Sequence, residues 1–247
     1  MQSTVFIRST SPRALISWQY PQALTAWIYR CLKGVALVDL DHHAHHRTIR
    51  PFAVSPLRFP DPITASPFGI EPSTPFATFT VNAIDPMLLE QFEDQARVEP
   101  LTIDGIRYRV DAVYSHDSEP VVHESSWVTK LVSPVVVADR VGDQRIFLRP
   151  DDPRFATLLT QNLAKKARQF FLDDGDVDAI RITLPTQWQR KLWRLYGHPI
   201  LGWKSRESVT ITGSPAVIKV ASTFGLGVYN THGFGTLAET RSIQEVV

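Results

Sequence analysis

The order in which two periodicities alternate along residues 1–113 restricts the fold more than any other feature. An apolar run at residues 5–7 reads as a strand. After Pro21, Leu24, Trp27, Ile28, Cys31 and Leu32 fall at i, i+3, i+4, i+7 and i+8, one face of a helix that Gly34 ends. Residues 51–59 (PFAVSPLRF) and 78–82 (TFTVN) read as strands. Residues 86–96 (PMLLEQFEDQA) read as a helix opened by Asp85 and Pro86, and residues 106–113 (IRYRVDAV) as an alternating strand. Strand, helix, strand, strand, helix, strand is the ferredoxin-like βαββαβ motif.

A polar stretch at 118–126 (SEPVVHESS) reads as a linker near residue 125, after which the pattern restarts more loosely. Residues 132–138 and 145–148 are expected strands. Phe155, Leu158, Leu159, Asn162, Leu163 and Phe170 have helical spacing, with Lys165, Lys166 and Arg168 read as a basic outer face. Strands are expected at 179–184 and 208–212. Residues 215–223 (PAVIKVAST) fit a helix or a buried strand equally well. The expected fold is therefore α+β, two tandem ferredoxin-like (RRM-like) domains, residues 1–125 and 126–247.

Composition removes several function classes. Twenty-six Lys and Arg against 25 Asp and Glu leave a net charge of +1, which excludes an acidic tail or a uniformly basic coat. The sum hides a distribution: residues 1–56 carry +4, 57–144 carry −8, 145–206 carry +6 and 207–247 carry −1. Two basic segments flanking an acidic one allow a polyanion-binding groove on a neutral protein. Cys31, the single cysteine, excludes an internal disulfide and zinc fingers built on Cys pairs. Charges and a proline stand where a signal peptide needs an apolar run, and no stretch is long enough for a helical membrane span, so the expected location is the cytoplasm.

Chemistry concentrates in two clusters. Four of the eight histidines are His42, His43, His45 and His46, and four of the twelve glycines are Gly225, Gly227, Gly233 and Gly235. The glycine segment is not a dinucleotide fingerprint, because the third glycine of GxGxxG would be Asn230, and no Gly-Lys-Ser/Thr follows to make a P-loop. What remains is a loop permissive at φ > 0, able to turn backbone N–H groups toward an anion.

The segment GSPAVIKVASTFGLGVYNTHGFG resembles the C-terminal signature of the CRISPR repeat-processing endoribonucleases, the Cas-six family of the RAMP superfamily, whose G-h-G-x-x-N-x-h-G-h-G loop (h apolar) contacts RNA. Asn230 and all four glycines match. Thr231 and His232 depart slightly from the usual residues. Trp27-Ile28-Tyr29, the run Arg50 to Leu57, Ser133-Pro134 and the basic helix beginning at Phe155 match in the family's order.

This resemblance implies metal-independent cleavage of repeat RNA, in prokaryotic cytoplasm, by attack of the ribose 2′-OH on the adjacent phosphate. It leaves a 2′,3′-cyclic phosphate and a 5′-OH. It further implies a catalytic histidine at the end of a short helix, after an apolar residue and some seven residues before the Phe of the following strand. His45, preceded by Ala44 and seven residues before Phe52, fits best, with His43 as runner-up and His42 and His46 as further candidates. Tyr29 matches an assisting tyrosine and Arg50 a Lys/Arg position near the scissile phosphate. Arginine's fork suits a phosphate, although it is a poor proton donor.

His42 with His46 (i, i+4) could clasp Zn²⁺ or Ni²⁺ on a helix, but no HExxH arrangement and no nearby Cys supports a metal, and neither metal nor cofactor is assigned. The expected RNA contacts are Gly225, Gly227, Asn230, Gly233 and Gly235 in the loop, with Lys165, Lys166, Arg168, Arg190, Lys191 and Arg194 on the backbone. No RNP-type aromatic motif is evident in the sequence. The expected partner is repeat RNA, as precursor and as mature guide. Association with an interference complex and a homodimer are left open, and a membrane is not expected. The alternative from another class is a catalytically silent relative that only binds the repeat.

Overall fold

The computed structural model describes residues 1–11, 14–34, 49–117, 120, 125–170, 177 and 179–238. The chain makes two compact units. The first takes Met1–Asp117 with Trp193–Pro199 and Thr231–Gly233; the second takes Ser118–Leu192, Ile200–Asn230 and Phe234–Val247.

The first unit contains β1 (Gln2–Ser9), β2 (Ile16–Ser17), α1 (Tyr20–Cys31), β3 (Phe52–Val54), β4 (Ile63–Ala65), β5 (Gly69–Pro72), β6 (Phe76–Ala83), α2 (Pro86–Ala96), β7 (Leu101–Ile103) and β8 (Ile106–His116). Its main sheet is antiparallel, in the order β3-β6-β1-β8-β7. With the β7 hairpin set aside, this is the sheet of a βαββαβ motif in which α1 follows β1 and α2 follows β6. Pro21 starts α1 where a missing N–H costs nothing. Leu24, Trp27, Ile28 and Cys31 bury one helical face. Trp27 is the centre of the core: its ring meets Phe79 and Phe92 edge-on at 6.0 and 5.6 Å, and its indole N–H donates to the Glu99 carbonyl at 3.0 Å. The Asp85 carboxylate caps α2 by accepting from the Met87 N–H at 2.9 Å.

The second unit contains β9 (Ser126–Lys130), β10 (Ala138–Val141), β11 (Gln144–Phe147), α3 (Arg154–Phe170), β12 (Arg181–Thr183), β15 (Ser208–Thr212) and α4 (Pro215–Phe224), with most of β13 (Gln189–Leu195) and β14 (His198–Lys204), whose facing ends belong to the first unit, as do the last two residues of a 3₁₀ turn at Asn230–His232. Its sheet runs β12-β15-β9, and a fourth, vestigial strand lies beside β9: Leu131 bridges Leu237, the Val132 N–H donates to Thr236 O and the Ala238 N–H to Lys130 O, both at 2.8 Å. The same ferredoxin-like arrangement is thus repeated, with β10–β11 and β13–β14 added as hairpins.

Two sequence expectations are corrected. The strand that opens the second unit is Ser126–Lys130, at the end of the stretch read as linker and beyond it, and of residues 132–138 only Ala138, the start of β10, is in a strand. In β9 the alternation is inverted: Trp127 and Thr129 are buried while Val128 points out. Pro134 lacks the N–H a strand interior needs. Among residues 132–138, Val135 alone makes an isolated bridge, to Trp203, and Val136 and Val137 are buried without a ladder. The open choice at 215–223 resolves to helix, capped by the Ser214 side chain, which accepts from the Val217 N–H at 3.4 Å. No helix among the described residues is long and apolar enough to cross a membrane.

Candidate functional site

In the second unit the glycine segment closes on itself. Gly225 caps α4 at φ +68°, its N–H bonding back to Ala221 O. Three positions admit no side chain, Gly225 among them, whose Cβ would overlap the Gly235 carbonyl oxygen. A Cβ on Gly235 would overlap the Leu226 carbonyl oxygen, and one on Gly227 the Val136 carbonyl oxygen, and both glycines have left-handed φ values near +70°. The N–H groups are used internally: Leu226 to Gly235 O at 2.9 Å, Val228 to Val136 O at 2.9 Å, Gly235 to Pro134 O at 2.8 Å. Ser133 Oγ accepts the Thr236 N–H at 2.9 Å, so the Ser133-Pro134 pair serves as a strap beneath the loop.

Asn230 and Lys166 hold this bracket together. The Asn230 Nδ2 group donates to Leu226 O at 3.1 Å and Phe234 O at 2.9 Å, one carbonyl on each side of the turn. Asn230 Oδ1 accepts from Lys166 Nζ at 2.7 Å, and the same ammonium donates to Gly225 O and Gly227 O, each at 2.9 Å. Three donors meet three acceptors. Lys166, expected on the outer face of its helix, is instead 2% exposed. It continues the buried stripe of Phe155, Leu159 and Leu163. Burial pushes its pKa down to about 7. Lys165 and Arg168 are exposed on α3, and Arg190, Lys191 and Arg194 on β13. Sequence reasoning passed over Arg145, whose Nη1 donates to the Tyr229 hydroxyl at 2.6 Å with its guanidinium 5.5 Å from that ring.

The first unit gathers a second set of groups. Tyr29 lies half-buried on α1, its ring edge-on to Phe52 at 5.3 Å, and the Arg50 guanidinium stands 5.9 Å from the ring centre. Burial raises the Tyr29 pKa; Arg50 pulls it the other way and Tyr196 adds to the rise. Tyr29 is therefore a phenol at neutral pH, a hydrogen-bond donor and not a phenolate. Tyr196 lies at the turn between β13 and β14 with φ +50°, and its hydroxyl is 3.3 Å from His232 Nε2. His232 Nδ1 is 3.1 Å from Thr231 Oγ1. Burial pushes the His232 pKa down to about 4, leaving a neutral imidazole. The Thr231 carbonyl is fixed by the Thr25 hydroxyl at 2.6 Å.

The structure thus brings Tyr29 and Arg50 together and adds Tyr196 and His232. The signal for Tyr196 was a Tyr-Gly pair, with both residues at positive φ, between two alternating segments. His42, His43, His45 and His46 lie outside the described residues.

Two tandem ferredoxin-like units, the second closed by a glycine-rich bracket, make up the architecture. Solved structures share it. A Cas6-related protein from Pyrococcus furiosus superposes with a TM-score of 0.81 at 17% identity, covering 98% of this chain and 99% of that one. A RAMP protein that binds different RNA substrates gives 0.81 at 14%, covering 98% and 100%. Cas6 from Thermus thermophilus gives 0.54 at 14%, covering 96% of each chain. No curated protein matches the chain by sequence. Residues 117–239 match the family described as CRISPR associated protein Cas6, C-terminal. The chain belongs to the Cas6 family.

Proposed function

We propose that the chain is a metal-independent endoribonuclease that cuts CRISPR repeat RNA in precursor transcripts to release guide RNAs. Family membership supports repeat-RNA processing. The observation that carries the cleavage reading is the pairing of Tyr29, before the histidine cluster in sequence, with Arg50, which follows that cluster by four to eight residues.

In the proposed reaction the 2′-oxygen forms a bond to the adjacent phosphorus and the P–O5′ bond breaks. A base accepts the 2′-OH proton and an acid delivers one to the departing O5′, giving a 2′,3′-cyclic phosphate and a 5′-OH. His45, or His43 in its place, takes one proton role; neighbouring imidazoles disfavour each other's protonation, so one can stay neutral while another is charged. Arg50 offers its fork to the equatorial oxygens as charge develops there. Tyr29, kept protonated, donates a hydrogen bond that fixes the phosphate or the histidine. Exposed Lys165, Arg168, Arg190, Lys191 and Arg194 supply backbone contacts. Lys166 and Asn230 act indirectly, by holding the bracket.

The test is incubation with repeat RNA in the presence of chelator, followed by end mapping. Cleavage should persist, and a single 2′-deoxy substitution at the cut nucleotide should abolish it without weakening binding. Cutting that survives the substitution, or stops with chelator, refutes the mechanism. Tight binding of intact repeat with no cutting assigns the chain to the silent binders instead.

A further inference from the structure

Helix α1 carries a stripe whose partners come from two distant stretches of the first unit. Trp18, Gln22, Thr25 and Tyr29 recur at intervals of four, three and four, which puts them on one side of α1 and of the turn before it. Trp18 meets the Trp193 ring edge-on at 6.5 Å, Gln22 Nε2 donates to Arg194 O at 3.4 Å, and the Thr25 hydroxyl donates to Thr231 O at 2.6 Å. The tip of the β13–β14 hairpin and the Thr231–Gly233 segment are therefore laid along the helix that carries Tyr29. Tyr29 itself interacts electrostatically with Tyr196 at that tip.

Tyr196 holds its place at a backbone cost. It and Gly197 stand at φ +50° and +79°, the left-handed pair of a two-residue hairpin turn, where Asn or Gly is the usual first residue and a bulky side chain is disfavoured. What the tyrosine gains there is His232. Its ring meets the imidazole edge-on at 5.8 Å and its hydroxyl lies 3.3 Å from Nε2, while Nδ1 lies 3.1 Å from Thr231 Oγ1. Burial keeps the imidazole neutral and raises the Tyr196 pKa as well, so the phenol keeps its proton at neutral pH. The Tyr196 side chain is 63% exposed, open to a bound molecule. A strained turn that presents an oriented, accessible phenol beside Tyr29 points to use.

We propose that Tyr196 is a second phenol of the cleavage site, donating a hydrogen bond to a non-bridging oxygen of the scissile phosphate, and that His232 is the residue that positions it. The Thr231 hydroxyl donates to Nδ1, so Nε2 carries the imidazole proton and donates to the Tyr196 oxygen; the phenol's own proton is left for the phosphate. No proton is transferred in this step. The two non-bridging oxygens take up negative charge as the 2′-oxygen bonds to phosphorus, and a donor already fixed in place strengthens its hold as that charge grows. Tyr29, Tyr196 and the Arg50 fork together supply donors for both oxygens. The assignment rests on the cleavage reading above.

The experiment uses the full-length chain, repeat RNA, and the same repeat with a 2′-deoxy nucleotide at the cut. Tyr196→Phe and Tyr196→Asn should each lower kcat by about tenfold or more, the loss of one hydrogen bond to a charged group, and change KM by less than about twofold. Asparagine suits the left-handed turn, so that variant should unfold no earlier than wild type, which separates the lost phenol from a lost fold. His232→Leu should lower kcat about fivefold, and His232→Gln, which can still donate to the phenol, should return it to within about twofold of wild type. A histidine that only filled space would be replaced no better by glutamine than by leucine. With the tyrosine Cζ atoms labelled with carbon-13, the 2′-deoxy repeat should shift the Tyr196 resonance, assigned by its loss in Tyr196→Phe, and shift it less in His232→Leu. Wild-type kcat in both Tyr196 variants, a loss confined to KM, or glutamine no better than leucine overturns the proposal. The two readings fail separately. A Cζ shift without cleavage by the wild type sinks the nuclease reading and keeps the Tyr196 contact, whereas cleavage with no shift, at an undiminished rate in Tyr196→Phe, sinks the contact and keeps the nuclease.

Discussion

Replacing Lys166 with methionine tests whether the glycine bracket is held by a buried charge. The substitution keeps the length and most of the volume of the side chain but removes the ammonium, leaving Gly225 O, Gly227 O and Asn230 Oδ1 without their donor. A fall from 10.5 to about 7 means that burying the charged form costs about 5 kcal/mol relative to the neutral one. Methionine escapes the cost yet orphans three acceptors. Breaking a buried polar arrangement from one side is destabilising where replacing all of it need not be. The expected net loss is about 2 kcal/mol at pH 6.5. The pH dependence is the sharper readout. The unfolded chain holds this proton more tightly, so it binds more protons between about pH 7 and 10.5. Stability from this group therefore rises with pH across that window and is lost as pH falls through 7. Urea unfolding of wild type and Lys166→Met from pH 6.5 to 9.5 should give a gap that widens by about 1.4 kcal/mol per pH unit above 7.5. A variant as stable as wild type at every pH would refute the assignment of the Lys166 side chain to the bracket, and parallel profiles would refute the lowered pKa.

Gly235→Ala should cost about 3 kcal/mol or more in thermal unfolding, because its Cβ overlaps the Leu226 carbonyl, whereas Gly34→Ala, at φ +92° with open space around it, should cost only about 1–2 kcal/mol; equal costs would mean that conformation alone, not packing, demands glycine. Arg50→Ala should slow single-turnover repeat cleavage by about 10²–10³-fold, with little change in binding of a 2′-deoxy substrate. Tyr29→Phe removes one hydroxyl and should slow cleavage about five- to tenfold, the equivalent of one hydrogen bond. His232, held near 4 by burial, should show no imidazole titration by NMR between pH 5.5 and 8. Its folded value lies below the usual 6.5, so its contribution is present above that pH and lost as pH falls through 4; His232→Gln should flatten acid unfolding in that window.

The first unit was legible because each element carries its own signal. Pro21 and Pro86 mark two helix starts, Asp85 supplies a cap, and period-2 and period-3.6 stripes alternate cleanly. The second unit was less so. Its opening strand buries Trp127 and Thr129 and exposes Val128, so a hydrophobic-in reading found nothing regular there. Residues 132–138 read as a strand on their apolar content, yet Pro134 interrupts the stretch and the buried run Val135 to Val137 forms no ladder. For α4 the deciding information was present in Ser214-Pro215, an N-cap followed by a first-turn proline. In the site, Tyr29 and Arg50 could be named from the family resemblance, but Tyr196 and His232 could not be joined to them, since only the tertiary fold brings positions 29, 196 and 232 into one unit.

Lys166 shows why charge and phase must be read together. Grouping Lys165, Lys166 and Arg168 by charge places all three in solvent. Counting from Phe155 through Leu159 and Leu163, the next position on the same face is 166, so the periodicity already put this lysine inside. A lysine on an apolar stripe needs acceptors that the helix cannot supply, and the acceptors are the carbonyls of the glycine loop about sixty residues later. The consequence reaches the RNA. Asn230 spends its amide on Leu226, Phe234 and Lys166, and the Leu226, Val228 and Gly235 N–H groups are bonded within the unit. The Leu226, Val228 and Gly235 N–H groups are therefore spent on the bracket and are not open to an anion. An Asn230 variant that lost RNA affinity would do so by releasing the bracket, with a fall in stability to match.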